Sequence, residues 1–140
     1  MKQQAKRFVI YLSCILLLSS CAKNIVLPYQ ANGNGTGTVK IKPSTSIKAA
    51  SVTMDGNMIW EKKKRIKSIT ITNVPKGVHN VNVVSESWYY KEALNYKESV
   101  SVNANDNKAL LVSVPPYSTG YYLYWTAIII VCLLPSVFAL

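Results

Sequence analysis

The sequence predicts a mainly β protein, in which one small antiparallel β-sandwich lies between an N-terminal signal helix and a C-terminal hydrophobic, transmembrane helix. Three observations support this prediction. Apolar and polar residues alternate in short runs, such as 38–42, as is typical of half-buried strands. Turn-forming pairs such as Asp55-Gly56 separate the runs. Residues 36–114 contain no convincing helical period, and the long apolar runs lie near the two ends of the 140-residue chain.

The first residues have the order of a secretory signal. Basic residues within the first seven positions precede an uncharged run, 8–18, and two serines then lead to Cys21. A basic start, an apolar run of about 7–15 residues and a small-residue cleavage site describe a cleaved signal. A membrane span needs about 20 apolar residues, which this run does not reach. We therefore expect residues 1–20 to be a signal peptide that is removed on export.

The end of this signal resembles the lipobox of bacterial lipoproteins, in the run Leu18-Ser19-Ser20-Cys21. The resemblance implies that Cys21 is the lipidation site, carries palmitate-type acyl chains and becomes the mature N-terminus. Each buried methylene contributes about 0.8 kcal/mol, and two or more chains give stable anchoring. The alternative is an ordinary signal peptide with an accidental cysteine.

A tether is expected next, over residues 21–37, comprising the lipidated cysteine and a flexible segment. Residues 22–31 show little periodicity, and the Gly/Asn run that follows is typical of linkers. The folded domain is then expected over residues 38–116. About seven short strands are predicted there, centred on Val39/Ile41, Val52/Met54, 57–60, Ile69/Ile71, Val81/Val83, Val100/Val102 and 110–114. Residues 88–95 are predicted as a long loop or one helical turn.

Residues 38–116 are similar to the PEGA-type module, a small β-sandwich of bacterial envelope proteins. The similarity lies in residues 50–57, 74–83 and 100–114, in matching order and spacing. The Pro-Gly-Ala usual before the first hairpin and the Gly-x-Thr-Pro after it are absent. Because such motifs are largely turn chemistry, the resemblance implies a fold rather than an activity.

The chain ends in a hydrophobic segment, residues 117–140. Residues 121–140 contain no charge, and 20 helical residues would reach about 30 Å, the thickness of a bilayer core. Tyrosine and tryptophan crowd the start of the segment, as at a membrane interface. We expect a membrane span, with a helix or strand packed on the domain or on partner subunits as the alternative. An inner-membrane location fits a span, whereas Ala22 after the cysteine resembles an outer-membrane sorting signal, so the sequence leaves this choice open.

Catalytic constellations are missing from the sequence. His79 is the only histidine, and it is expected to be a half-buried strand residue. The six carboxylates are scattered, without the spacing of paired acid and base groups. We therefore expect no enzyme, no catalytic residues, no cofactor and no metal site. An envelope hydrolase would require carboxylates such as Glu86 and Glu98 to converge, and is the least favoured hypothesis.

Two features could bind a ligand or partner. One is the aromatic run Trp88, Tyr89 and Tyr90. The other is the basic run Lys62, Lys63, Lys64 and Arg65, in a chain of formal net charge +10. The sequence predicts a non-enzymatic, membrane-anchored envelope lipoprotein with its domain in the periplasm, an accessory or scaffold subunit with protein partners. The alternative is a cell-wall or polysaccharide-binding module that uses these two runs. No nucleic-acid partner is expected for an exported, lipid-anchored protein.

Overall fold

The computed structural model describes residues 22–29, 35–62, 64–85 and 87–137. The predicted signal peptide and Cys21 lie outside the described residues. The described residues form eight strands, one 3₁₀ helix and one α-helix: β1 Lys23–Pro28, β2 Thr36–Pro43, β3 Ala50–Met54, β4 Asn57–Lys62, β5 Ile66–Pro75, β6 Gly77–Ser85, the 3₁₀ helix Ser87–Tyr89, β7 Leu94–Val102, β8 Asn107–Val112 and α1 Thr119–Val137. The mainly β prediction is therefore confirmed.

The strands form two four-stranded sheets. The order in the first sheet is β1-β5-β2-β8, and in the second it is β4-β3-β6-β7. The second sheet is antiparallel throughout, as predicted. In the first sheet, however, β1 is parallel to β5 and β2 is parallel to β8, so the prediction of a purely antiparallel fold is wrong there. Alternation reveals which face of a strand is buried but not its direction, and these parallel neighbours are far apart in the sequence.

Both sheets contribute to one hydrophobic core. The alternating positions that predicted the strands are the ones that are buried, including Val39 and Ile41 in β2 and Val81 and Val83 in β6. Two sheets that share one buried core are consistent with a β-sandwich.

The structure differs from the predicted tether over its described part. Lys23–Pro28 forms strand β1, and its Leu27 pairs with Ile71 of β5. Gly37, predicted as linker, lies within β2, where a Cβ atom would be only 2.5 Å from Cγ1 of Val102. This glycine therefore allows close packing of the chain rather than flexibility.

Two turn predictions can be compared with the structure. Asp55 and Gly56, with φ values of 52° and 81°, connect β3 to β4 as a two-residue hairpin turn. The segment 88–95, predicted as a long loop or one helical turn, begins in the 3₁₀ helix Ser87–Tyr89 and ends in β7, so the structure is nearer to the helical turn.

Helix α1 covers most of the predicted C-terminal segment, of which residues 138–140 lie outside the described part. Among the residues that the structure describes, none belongs to a helix that is both long enough and apolar enough to cross a membrane.

Candidate functional site

Helix α1 begins against the 3₁₀ helix. The Ser118 hydroxyl oxygen accepts a hydrogen bond from the Tyr121 amide at 3.1 Å, which makes Ser118 the N-cap of the helix. The same hydroxyl donates to the Trp88 carbonyl at 2.9 Å, and the Ser118 amide donates to the Tyr89 carbonyl at 3.0 Å. Hydrogen bonds through one residue therefore fix the start of the helix to the β domain.

Tyr89, Tyr90, Tyr117 and Tyr121 pack together at this point, and we call them the aromatic junction. The Tyr117 ring stacks on the rings of Tyr90 and Tyr121, with distances between ring centroids of 5.3 and 4.6 Å. Tyr89 meets Tyr90 and Tyr121 edge to face, at 6.5 and 6.1 Å. Such geometries are favourable for aromatic pairs, so the junction joins helix and domain through packed rings.

Two cations hold the aromatic junction from the β domain. The Lys48 ammonium lies 4.7 Å from the ring centroid of Tyr89 and 5.7 Å from that of Tyr121, within cation–π range. Arg65 donates from Nη2 to the Tyr121 hydroxyl at 3.0 Å. The Lys48 amide donates a hydrogen bond to the Tyr90 hydroxyl at 2.9 Å. Burial raises the pKa of that hydroxyl, although the hydrogen bond from Lys48 acts in the opposite direction. The Tyr90 hydroxyl is therefore a neutral acceptor at physiological pH.

The predicted aromatic run is divided by the fold. Trp88 is 52% exposed, whereas Tyr89 and Tyr90 are 7% and 2% exposed. Sequence adjacency had grouped the three as one ligand surface. In the structure, only Trp88 presents its side chain to solvent, and the two tyrosines serve the aromatic junction.

The predicted basic run is divided as well. Lys62 lies over the Trp60 ring at 5.0 Å, Lys64 is exposed, and Arg65 contacts the aromatic junction. Lys63 lies outside the described residues. Among the described residues of this run, only Arg65 reaches the aromatic junction.

The start of the domain lies at the same point. The Lys23 amide, at the first residue of β1, donates to the Arg65 carbonyl at 3.3 Å. Arg65 thus contacts both the first strand and the root of helix α1. Sequence analysis missed this meeting of strand β1 with the start of helix α1, and also the roles of Tyr117, Tyr121 and Lys48. The spacing of the two tyrosines, four residues apart, was the available signal.

Beyond its root, helix α1 presents apolar side chains to the outside. Leu123, Ile129, Ile130 and Val131 are between 48% and 66% exposed. Tyr122 and Tyr124 are also exposed, at the end nearer the β domain. Because Ile129, Ile130 and Val131 are consecutive, the helix is exposed on more than one side. Soluble monomers seldom expose apolar side chains in this way, so this part of the helix calls for an apolar environment.

A second cluster of polar groups surrounds His79, which is 8% exposed and lies on the buried face of β6. Nε2 donates to the Pro75 carbonyl at 2.8 Å, because that carbonyl can only accept, and Nδ1 lies 2.7 Å from Oδ2 of Asp55. The Asn80 amide and the Tyr29 hydroxyl also donate to Asp55, at 2.8 and 3.1 Å. Both imidazole nitrogens are engaged within the protein, so the cluster links two turns rather than offering a base to a substrate.

The pKa of Asp55 reflects this arrangement. Burial pushes the pKa upward, but the hydrogen bonds from His79, the Asn80 amide and Tyr29 outweigh it and leave the pKa below its ordinary value. The carboxylate is therefore held in its charged form by its donors.

Within the part of the chain that the structure describes, no three His, Cys, Asp or Glu side chains lie close enough to hold a metal ion. Glu98 is exposed on β7, and Glu86 lies outside the described residues.

Comparison with known proteins gives no assignment: no protein-family model matches this chain, and no curated protein matches its sequence. The lipobox at Cys21 and the PEGA-like character of the domain remain predictions from the sequence.

Proposed function

We propose that the chain is a non-enzymatic lipoprotein of the bacterial envelope, in which a PEGA-like β-sandwich in the periplasm is fastened to a membrane and serves as an accessory or scaffold subunit. The fastening has two parts: acyl chains on Cys21, and the exposed apolar face of helix α1. The observation that carries the proposal is the contrast along α1, whose root is packed into the β domain while most side chains between Tyr122 and Val131 are exposed.

The energetics of that outward face support a lipid environment. Moving a fully exposed Leu, Ile or Val side chain out of water is worth about 1.5–3 kcal/mol. Leu123, Ile129, Ile130 and Val131 together would therefore gain several kcal/mol in a bilayer. Tyr122 and Tyr124 lie toward the domain, where aromatic rings favour the headgroup boundary.

The contact between strand β1 and the start of helix α1 supports the lipid anchor on Cys21. Cys21 precedes Lys23 by two residues, a reach of at most about 7 Å of chain. Lys23 in turn is bonded to Arg65, which is bonded to the root of α1. A lipid on Cys21 and a membrane-seated α1 would therefore pull on the same end of the domain, which a single flat bilayer can satisfy.

A scaffold role agrees with the chemistry of the described residues. The buried histidine has both nitrogens occupied by internal partners. In the predicted aromatic run, Tyr89 and Tyr90 are packed in the aromatic junction, which leaves Trp88 as the exposed member of the run. These features favour a body that positions other molecules over one that transforms a substrate.

The helix anchor is tested by cell fractionation of a lipid-free form, in which an unrelated cleavable signal peptide replaces residues 1–20 and Cys21 is replaced by Ala. We expect this form to stay in the membrane pellet after a high-salt wash. The variant under test replaces four exposed side chains of the helix, keeps Tyr121 in place, and should move to the soluble fraction: Leu123→Gln, Ile129→Gln, Ile130→Gln and Val131→Gln.

The matched control replaces four equally exposed apolar side chains of the β domain, and should leave the chain in the pellet: Val26→Gln, Met58→Gln, Val78→Gln and Leu111→Gln. The helix part of the proposal is wrong if the lipid-free form with the native helix is already soluble. The lipid part is tested by labelling cells with palmitate. Label on the native chain that persists in Cys21→Ala would refute lipidation at this residue.

A further inference from the structure

A basic concavity lies on the outer face of the first sheet, with a volume of about 400 Å³. Lys40 and Lys42 reach it from β2, because Val39 and Ile41 occupy the alternate, buried face of the same strand. Lys67 reaches it from β5. Three ammonium groups around one concavity create a positive potential that attracts anions.

Within the part of the chain that the structure describes, the positive charge of these lysines is not neutralised. Among the described residues, no carboxylate lies within ion-pair distance of Lys40, Lys42 or Lys67. The described ion pairs instead involve Asp55 and Asp106. An external anion is therefore the natural counterion for the concavity.

Hydrogen-bonding groups complete its lining and are held in place by the fold. The Ser44 hydroxyl oxygen accepts from the Val114 amide at 3.0 Å, and the Ser68 hydroxyl donates to Asn24 at 2.9 Å. The loop between β2 and β3 also bonds to the aromatic junction, because the Tyr117 hydroxyl donates to the Ser46 carbonyl at 3.3 Å. The Ser44 hydroxyl keeps its hydrogen for an external acceptor, whereas the Ser68 hydroxyl gives its hydrogen to Asn24. The Ser44 hydroxyl and the lysine ammonium groups therefore suit the oxygens of a phosphate.

The position of the concavity indicates where that phosphate comes from. Its lining includes Asn24, one residue after Lys23, and Lys67, two residues after Arg65. Lys23 and Arg65 are the residues at which the first strand and helix α1 meet. If the chain is anchored as proposed above, the concavity lies beside the lipid headgroups.

We propose that the concavity of Lys40, Lys42 and Lys67 binds the phosphate headgroup of an anionic phospholipid in the membrane that anchors the chain. This inference rests on the proposed function, since it places the concavity at the membrane. It adds a ligand class and a site: the domain selects anionic lipid rather than merely resting on any bilayer.

The test measures binding to the full processed chain held in neutral detergent micelles. The ligands are two short-chain lipids, dihexanoyl phosphatidylglycerol and dihexanoyl phosphatidylcholine, and inorganic phosphate, titrated calorimetrically at low salt. We expect the phosphatidylglycerol to bind more tightly than the other two ligands. The double variant Lys42→Gln with Lys67→Gln should weaken it about 25-fold, because each basic side chain near an anionic surface is worth about a factor of five.

The matched control is Lys76→Gln with Lys97→Gln, which removes the same charge from exposed positions in a turn and in β7. This pair should change binding by less than about threefold, since charges beyond a Debye length are screened. The pair Lys42→Arg with Lys67→Arg keeps the charge and should keep the binding.

Equal weakening by the two glutamine pairs would overturn the inference, because net charge alone would then explain it. Inorganic phosphate that binds as tightly as the lipid would also overturn it, since the ligand would be a free anion. A chain that stays in membranes on fractionation but shows no preference for anionic lipid contradicts only this inference. Loss of membrane retention contradicts the proposed function instead.

Discussion

The hydrogen bonds between Asp55 and its neighbours, and the lowered pKa of its carboxyl, predict how much Asp55 stabilises the fold and how this depends on pH. Asp55 lies in the turn between β3 and β4, and His79 lies on β6 beside the turn that follows β5. Replacing Asp55 by Asn keeps the size of the side chain and removes its charge. The variant therefore tests whether the carboxylate links the two turns.

The expected magnitude follows from the bonds that Asp55 accepts. The Asn80 amide and the Tyr29 hydroxyl donate to it at 2.8 and 3.1 Å, and Nδ1 of His79 lies 2.7 Å from its Oδ2. A hydrogen bond to a charged group contributes about 1.5–3 kcal/mol, but Asn retains one carbonyl oxygen and can keep one bond. The Asp55 side chain is 31% exposed, so water replaces part of what is lost. We expect Asp55→Asn to lower the free energy of unfolding by about 2 kcal/mol near neutral pH.

The pH dependence has a definite sign. The donors hold the pKa of Asp55 below its ordinary value, against the opposing effect of burial. A carboxyl with a lowered pKa stabilises the fold above its unfolded-state pKa of about 3.9, and that stabilisation is lost as the pH falls through the folded-state pKa. The difference between the native chain and Asp55→Asn should therefore be full at pH 6 and small at pH 2.5.

The assay is urea unfolding of both chains in neutral detergent, followed by tryptophan fluorescence at several pH values. Asp106 also has a lowered pKa, but it is present in both chains and cancels in the difference. Glu92→Gln, at an exposed position, is the control and should leave stability unchanged. A difference between the native chain and Asp55→Asn that is the same at pH 2.5 and pH 6 would refute the reasoning.

Two further substitutions test the close packing at Gly37 and the hydrogen bond to Tyr90. Gly37→Ala should destabilise the domain by about 2 kcal/mol, because the new methyl group would be only 2.5 Å from Val102. Gly120→Ala in helix α1 is the control and should be neutral or slightly stabilising in the same unfolding assay. Tyr90→Phe should cost about 1–3 kcal/mol by leaving the Lys48 amide without its acceptor, and an unchanged unfolding midpoint would show that this bond contributes nothing.

The sequence was informative about strands because burial on one face leaves a local record. Val39 and Ile41 are buried between exposed or half-exposed neighbours, and the alternation is visible within five residues. The turn at Asp55-Gly56 is equally local, because its positive φ angles favour these residue types. Strand direction and partner leave no such record, which is why the parallel pairing of β1 with β5 was not predicted.

The candidate site was less predictable because its parts are distant along the chain. Trp88, Tyr89 and Tyr90 were identified as a group, but which of them faced solvent depended on Tyr117 and Tyr121, about 30 residues later. A run of aromatic residues has the same composition whether it binds a ligand or fills a junction. Only the tertiary contacts of the run distinguish the two.

The positions of Asp55 and Asp106, away from the start of helix α1, bear on how the domain would sit on a bilayer. Lys23, Arg65 and Lys67 lie at the end where helix α1 begins, whereas Asp55 and Asp106 lie toward the opposite end of the ten-residue strand β5, together with Lys76 and Lys108. That strand is about 30 Å long, which exceeds the Debye length of about 8 Å at physiological salt. An anionic surface at the helix end would therefore attract the basic side chains without repelling the carboxylates. The charges and the apolar helix favour the same orientation, so weakening either one alone should tilt the domain less than weakening both.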